Sequence, residues 1–216
     1  MKFFAFLALA TAALASPVSI QETKRQTVGD TANEFVDGGC RDVIFIFSRG
    51  STETGNMGTV IGPEVANGLK SSLGDSAVAA QGVDYAAALD TNFIPGGADT
   101  AGIATMVSLL NQAASQCPDA KIVTGGYSQG AAMTHRAVEQ LDAATVARIT
   151  GAVLFGDTQY QQTNGVVGTL PANKVKIYCA AGDLVCDGTL TITAAHLSYG
   201  VDAGDATSFL VNLINA

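Results

Sequence analysis

The sequence has little basic charge and few histidines. Only 11 lysines and arginines stand against 19 aspartates and glutamates, which gives a formal net charge of −8 at pH 7. Binding to nucleic acid or to an anionic membrane needs a basic surface, so we expect neither partner. The two histidines and the lack of any C-x-x-C pair argue against a zinc site. We therefore predict a protein that uses no metal and no cofactor.

A membrane-spanning apolar run is also missing after the N-terminal segment, so we expect no stable membrane insertion. That segment has a basic tip, a short apolar core and small residues at its end, which is typical of a secretory signal peptide. A polar stretch then reaches the dibasic pair Lys24-Arg25. We predict a signal peptide over 1–16, a propeptide over 17–25 and a secreted, extracellular domain over 26–216. Loss of residues 1–25 would remove three basic residues and one acidic residue, leaving a net charge of about −10.

Four cysteines lie in the predicted mature part, at Cys40, Cys117, Cys179 and Cys186. An even number of cysteines in a secreted chain favours two disulfides. Of the three possible pairings, the most natural closes a short loop between Cys179 and Cys186 and a long one between Cys40 and Cys117.

Internal repeats, linkers and low-complexity tracts are absent from the sequence, so we expect one domain that acts as a monomer. Apolar runs predict strands at residues 42–47, 77–83, 152–156 and 175–179, and another just before Gly125. Segments with helical periodicity lie between and after them, at about 63–73, 100–116, 144–149 and 206–214. This alternation predicts a parallel α/β sheet with helices on both faces. No amphipathic helix is left over to form a large lid.

The segment Gly126–Gly130, Gly-Tyr-Ser-Gln-Gly, matches the G-x-S-x-G pattern between a predicted strand and a predicted helix. In that context the pattern is typical of a nucleophile elbow, in which a strained turn lifts the serine hydroxyl above the sheet. Glycines on both sides allow the neighbouring backbone to approach closely. The N-terminus of the following helix favours negative charge that develops nearby. We predict that Ser128 is a catalytic nucleophile.

A serine nucleophile needs a base, and the base needs an orienting carboxylate. His135 lies seven residues after Ser128, which places it about 10 Å further along the helix and out of reach. His196 is therefore the predicted base. In α/β-hydrolase sites the acid lies between the serine and the histidine in the chain. Asp183, inside the short cysteine loop, is the predicted acid, and Asp157, after the fourth strand, is the alternative.

A serine nucleophile of this kind also needs donors for a developing oxyanion. The backbone N–H of Gln129, directly after the nucleophile, is one predicted donor. The other should come from the loop after the first strand, where Ser51 offers both an N–H and a hydroxyl. Ser48, closer to the strand end, is the weaker alternative.

Four segments of the chain together resemble fungal cutinases, and the similarity extends from about residue 39 to 213. These segments are Arg49–Asn56, Gly126–Gly130, Cys179–Cys186 and His196–Gly200. The main local departure is Phe47-Ser48, where the resemblance leads us to expect an aromatic residue followed by alanine. The resemblance implies a three-layer α/β/α sandwich with a five-stranded, mainly parallel central sheet, similar to an α/β hydrolase without a large lid. It also implies the two disulfides Cys40–Cys117 and Cys179–Cys186.

The same resemblance implies the roles of the site residues. They are the triad Ser128, Asp183 and His196 and the oxyanion hole Ser51 and Gln129. It further implies a crevice with apolar loops on its two sides. The matching residues are Leu89, Phe93 and Ile94 on one side and Leu190, Ile192 and Leu197 on the other.

The predicted function is a secreted serine esterase that hydrolyses cutin and related aliphatic polyesters, together with short-to-medium-chain esters, through an acyl-enzyme on Ser128. An acetylxylan esterase of the same fold is the alternative, although bulky apolar residues at Phe93 and Ile94 argue against a preference for acetyl groups. A catalytically inactive surface or elicitor protein is a third hypothesis, which the intact set of catalytic residues disfavours.

Overall fold

Five apolar segments form the central sheet of the computed structural model, which describes Met1 and residues 27–216. Apart from Met1, the predicted signal peptide and propeptide lie outside the described residues. All neighbouring strands are parallel, in the order β2-β1-β3-β4-β5. The strands are β1 (Val43–Ser48), β2 (Val78–Gly82), β3 (Lys121–Tyr127), β4 (Ile149–Phe155) and β5 (Val175–Tyr178).

Helices cover both faces of the sheet. The α-helices of the described part are α1 (Glu34–Gly38), α2 (Gly62–Leu73), α3 (Thr100–Gln116), α4 (Gln129–Gln140), α5 (Ala143–Arg148), α6 (Tyr160–Thr163) and α7 (Ala203–Ile214). Helices α2 and α7 pack on one face, and α3, α4 and α5 pack on the other. The predicted three-layer α/β/α sandwich with a five-stranded sheet is confirmed.

Strand β1 shows why both faces must be covered. Phe45 and Phe47 point into the core beneath α2 and α7, whereas Ile44 and Ile46 point into the core beneath α3 and α4. Successive side chains of a strand point to opposite faces, so a strand that is apolar throughout is stable only between two layers.

Local signals account for several helix ends. The Asp99 carboxylate accepts a hydrogen bond of 2.6 Å from the N–H of Gly102, which caps the start of α3. Gly74 ends α2 with a φ of 105°, a conformation that favours glycine. Strand β4 begins at Ile149, earlier than the expected residue 152, and the five-residue helix α1 is too short to leave a periodic pattern.

The chain changes direction in the sheet between β1 and β3. These strands are neighbours, but the helix that follows β1 lies on one face and the helix that follows β3 lies on the other. The loops leaving their carboxyl ends therefore diverge and open a crevice, which is where ligands bind in open α/β sheets.

Two disulfides brace the fold, Cys40–Cys117 and Cys179–Cys186. This is the pairing that the resemblance implies. Among the described residues, no helix is both long enough and apolar enough to cross a membrane. Over the same residues, no group of three or more histidine, cysteine, aspartate or glutamate side chains is placed to hold a metal ion.

Candidate active site

Ser128 sits on a sharp turn between β3 and α4. Its φ of 55° and ψ of −117° are unusual for a residue with a side chain. The flanking glycines explain how the turn is possible. A Cβ on Gly126 would lie 2.1 Å from the carbonyl oxygen of Gly130, and a Cβ on Gly130 would lie 2.0 Å from that of Ser48. The segment therefore adopts the strained strand–turn–helix geometry of a nucleophile elbow.

Ser128, His196 and Asp183 form a continuous line of hydrogen bonds. Ser128 Oγ lies 3.0 Å from His196 Nε2, and His196 Nδ1 lies 2.8 Å from Asp183 Oδ2. All three residues are buried, with Ser128 the most accessible of them. Ser128 lies in the β3–α4 turn, His196 in the short 3-10 helix Ala195–Leu197 and Asp183 in the loop after β5. This arrangement can activate a serine hydroxyl for attack.

Two buried tyrosines hold the histidine and the aspartate from the core side. The Tyr127 hydroxyl donates a 2.7 Å hydrogen bond to the backbone carbonyl of His196. The Tyr199 hydroxyl lies 2.5 Å from Asp183 Oδ2. Burial raises the pKa of both tyrosines above its ordinary value, so both hydroxyls keep their protons and act as donors.

Asp157, the alternative acid, belongs to a different pair. Its Oδ2 atom lies 2.8 Å from Nε2 of His135, and both side chains are fully buried. Its other carboxylate oxygen accepts from the N–H of Gln159. The pair ties the carboxyl end of β4 to helix α4. His135 is thus a core residue. The hydrogen bonds of the Asp157 carboxylate go to His135 and Gln159 rather than to His196.

Ser51 and Gln129 lie side by side next to the elbow. Gln129 Nε2 donates to Ser51 Oγ over 3.0 Å, and Asn92 Nδ2 donates to the same oxygen over 2.8 Å. Gln129 is the first residue of α4, so its backbone N–H has no acceptor within the helix. These groups can hold a developing negative charge beside Ser128.

The loop that carries Ser51 is organised by Glu53. Its carboxylate accepts hydrogen bonds from the N–H groups of Gly50, Thr59 and Val60, at 2.6, 2.8 and 2.9 Å. Arg49 adds a bond from Nε to the carbonyl of Glu53. One carboxylate therefore binds the backbone at both ends of an otherwise irregular segment of the chain.

Ser48, the weaker oxyanion alternative, points into the protein. It is fully buried, and its hydroxyl donates a 2.8 Å hydrogen bond to the carbonyl of Gly130. The serine at this departure from the expected alanine thus ties the end of β1 to the backbone of the elbow.

An apolar crevice of about 260 Å³ opens above Ser128 and His196. Five of the six predicted substrate-binding residues line it, namely Leu89, Phe93, Leu190, Ile192 and Leu197. Ile94 is exposed but is not among the lining residues. The 3-10 helix Leu89–Phe93 forms one wall, and the loop between the second disulfide and His196 forms the other.

Sequence reasoning missed several residues that shape this site. Asn92, Tyr127, Tyr199 and Glu53 make contacts that no motif specifies, although the last three lie within the segments that carry the resemblance. Asn92 lies one residue before Phe93, which the resemblance implies as a crevice residue. Its contact with Ser51 depends on how the two loops pack.

Comparisons with known proteins agree with this geometry. A family model described as cutinase matches residues 39–214. The chain is 54% identical to cutinase CUT2 of Pyricularia oryzae over 207 residues, which is 94% of this chain and 96% of the relative. A Trichoderma reesei cutinase solved with a phosphonate inhibitor superposes with a TM-score of 0.77 at 35% identity, covering 86% of this chain and 80% of that one. An acetylxylan esterase structure superposes with a TM-score of 0.64 at 25% identity, covering 81% and 99%.

Proposed function

The chain belongs to the cutinase family and is a carboxylic ester hydrolase, and from that premise we propose that it hydrolyses cutin and related aliphatic polyesters through an acyl-enzyme on Ser128. One observation carries the proposal. Ser128 Oγ, 3.0 Å from His196 Nε2, faces an apolar crevice that is open to solvent. A nucleophile in that position can reach an ester group within a polymer chain.

In the proposed acylation step, Ser128 Oγ attacks the carbonyl carbon of the ester while His196 Nε2 takes the hydroxyl proton. The tetrahedral intermediate collapses when the C–O bond to the alcohol breaks, and the imidazolium gives its proton to the departing oxygen. Asp183, 2.8 Å from Nδ1, keeps the imidazole in the required tautomer and stabilises its positive charge.

In the deacylation step, a water molecule takes the place of the alcohol. His196 removes a proton from the water as it attacks the acyl carbonyl, and the same proton then returns to Ser128 Oγ when the acyl–oxygen bond breaks. The products are a carboxylic acid and the free enzyme. Apart from the ester and the water molecule, every reacting group in the two steps belongs to the chain.

Negative charge on the carbonyl oxygen is held by Ser51 and Gln129 in this proposal. Ser51 Oγ already accepts from Asn92 and Gln129, so its own proton is free to point into the crevice. The backbone N–H of Gln129 adds a second donor at the N-terminus of α4, where the helix dipole favours negative charge.

The substrate class follows from the rim of the crevice. Phe93 and Leu197 are 74% and 60% exposed, so the rim offers apolar contacts at the protein surface rather than inside a tunnel. An insoluble aliphatic polyester can meet such a rim without being threaded into the protein. An acetyl group would leave most of these contacts unused, which disfavours the acetylxylan esterase alternative.

The enzyme is proposed to be secreted and to act as a monomer. Two disulfides fit an oxidising compartment, and the predicted signal peptide would direct the chain into the secretory pathway. Every group in the proposed mechanism comes from a single chain, so the site needs no second copy.

A series of soluble esters from acetate to octanoate tests the substrate proposal. Each buried CH₂ contributes up to about 0.8 kcal/mol, so butyrate should exceed acetate in kcat/KM by about tenfold. Phe93→Ser should reduce this preference while changing the acetate rate little. Val36→Ser is the matched control, because Val36 is equally an exposed apolar residue but lies on α1, outside the crevice lining. Cutin should release hydroxy fatty acids.

The nucleophile is tested by labelling with an organophosphate, followed by mass mapping of the adduct. The label should be found on Ser128, and Ser128→Ala should be unlabelled and inactive but folded. Labelling of another serine would overturn the assignment, and no labelling at all would support an inactive protein. If acetate is the best acyl group and acetylated xylan is a better substrate than cutin, the acetylxylan esterase function replaces the one proposed.

A further inference from the structure

Tyr199 lies directly behind the histidine and aspartate of the site. It begins the short 3-10 helix Tyr199–Asp202, three residues after His196. Its side chain is fully buried, and its ring meets His196 edge-on, with centroids 6.3 Å apart. Edge contacts with Tyr127 and Phe155 fix the plane of the ring. The position of the hydroxyl is therefore set by core packing.

The Tyr199 hydroxyl shares one carboxylate oxygen with the imidazole. It lies 2.5 Å from Asp183 Oδ2, the same oxygen that lies 2.8 Å from His196 Nδ1. The hydroxyl oxygen also accepts a 3.1 Å hydrogen bond from the N–H of Ala180. With that acceptor role filled, its proton points to Asp183. Burial, followed by the bond to Asp183, raises the pKa of Tyr199, so the proton is retained across the working range.

We propose that Tyr199 is a positioning residue for ester hydrolysis: its hydroxyl fixes the Asp183 oxygen that receives the His196 Nδ1–H and withdraws part of that oxygen's charge from the imidazole. This inference rests on the proposed triad. The other carboxylate oxygen, Oδ1, accepts a hydrogen bond from the Val185 N–H within the Asp183 loop. The Tyr199 hydroxyl therefore adds a second side-chain contact, beside that of His196 itself, between Asp183 and the segment that follows His196.

Charge sharing at Asp183 has a definite consequence for pH dependence. Asp183, Tyr127 and Tyr199 are the titratable groups that face His196, and Glu53 acts on Tyr127 from the loop after β1. A carboxylate relieved of the tyrosine bond attracts the imidazolium more strongly. The imidazolium form would gain stability in a variant without the hydroxyl, and the acid limb of the kcat/KM profile would therefore move to higher pH.

Tyr199→Phe tests the proposal because it removes the hydroxyl and keeps the ring. Tyr178→Phe is the matched control. Tyr178 is also buried and stacks on Phe155 with centroids 4.9 Å apart, and its hydroxyl donates over 2.7 Å to Asp205, a carboxylate outside the triad. Steady-state kinetics on a soluble butyrate ester from pH 5 to 10, with melting temperatures, compare the two variants.

We expect Tyr199→Phe to lower kcat by about tenfold to a hundredfold, as for loss of a hydrogen bond to a charged group. KM should change by less than about twofold, and the acid limb should rise by about half a pH unit. Tyr178→Phe should keep both kcat and the acid limb while lowering the melting temperature. A Tyr199→Phe variant with the kcat and acid limb of the Tyr178→Phe variant would overturn the proposal.

Two further measurements separate this inference from the proposed triad and from a folding defect. If Asp183→Asn leaves kcat unchanged, the triad itself is wrong; if Asp183→Asn is inactive but Tyr199→Phe is not impaired, only the role of Tyr199 is wrong. Should Tyr199→Phe fail to fold, replacement of Tyr199 by 3-fluorotyrosine keeps the shape of the side chain and makes its hydroxyl a stronger donor to Asp183. The acid limb should then move to lower pH, and an unmoved limb would contradict the proposal.

Discussion

Ser51 shows how a single hydroxyl can be oriented by its neighbours. Its oxygen accepts from the side-chain amides of Asn92 and Gln129, which occupy the two acceptor positions of a hydroxyl. Ser51 also lines the crevice, so the remaining proton is free to point into it. A donor that is oriented before the substrate arrives needs no reorganisation in the transition state, which is where such groups contribute most to rate.

Asn92→Ala should therefore impair catalysis although Asn92 is not itself one of the proposed catalytic groups. We expect kcat for a butyrate ester to fall by about tenfold to a hundredfold, with KM nearly unchanged, because the Ser51 proton loses its fixed direction. Thr91→Ala is the control, since Thr91 lies in the same 3-10 helix and its hydroxyl bonds only the carbonyl of Ala88. Equal rates for the two variants would show that the Asn92 amide does not orient Ser51.

The residues that the sequence reveals are those that a motif or a process of elimination can reach. Ser128 stands in a recognisable pattern, and two histidines leave little choice of base. The choice between Asp183 and Asp157 is harder, because both follow a strand. The structure separates them by their contacts, because Asp157 is hydrogen-bonded to His135 in the middle of α4. Tyr199 and Asn92 were not predictable, since their roles depend on contacts between separate loops.

At the scale of elements, the two disulfides brace different parts of the molecule. Cys40–Cys117 joins the segment before β1 to the end of α3, residues 77 apart in the chain. Cys179–Cys186 spans 7 residues and encloses Asp183 in the loop after β5. The first bridge thus restricts much of the unfolded chain, whereas the second shapes the site.

Replacing each disulfide separately by a pair of serines should affect stability more for one bridge and activity more for the other. In the loop-entropy model the long bridge stabilises the fold by about 2 kcal/mol more than the short one, a difference of about 4–8 °C in melting temperature. Loss of Cys179–Cys186 should instead lower kcat more, because Asp183 is less firmly held. Thermal unfolding and kcat measured on both variants check this. Equal losses of melting temperature and of kcat in the two variants would contradict this expectation.

Elements were predictable where apolar runs are continuous, and less so elsewhere. Strand β1 is buried along its whole length and was located to within one residue at each end. The loop after β1 has no such signal, yet it is as well defined, because Glu53 collects three backbone N–H groups. A loop ordered by one side chain leaves no periodic trace in the sequence.

At the scale of the whole molecule, parallel strands and one change of direction place the site. The chain builds β1 and β2 on one side and then returns past β1 to add β3, β4 and β5 on the other. The loops after β1, β3 and β5 consequently meet at one edge and bring together Ser51, Ser128 and Asp183, which lie far apart in the sequence. Sequence alternation predicts such a sheet, but the strand order decides which loops meet.

Buried tyrosines make the whole fold sensitive to alkaline pH. Burial raises the pKa of four tyrosines above its ordinary value, namely Tyr85, Tyr127, Tyr178 and Tyr199. A group whose pKa is raised on folding stabilises the protein below the unfolded pKa, and this contribution is lost as the pH rises above it. Above about pH 10 the unfolded chain releases these protons while the folded protein retains them.

The free energy of unfolding should therefore be level up to about pH 9 and then fall, by up to about 1.4 kcal/mol per pH unit for each buried tyrosine. Urea unfolding between pH 8 and 11 measures this slope directly. Tyr178→Phe removes one of the four groups, so the slope above pH 10 should become shallower by about a quarter, even though the variant is less stable near neutral pH. Parallel curves for the wild type and the variant would mean that the hydroxyl of Tyr178 ionises as readily in the folded protein as in the unfolded chain.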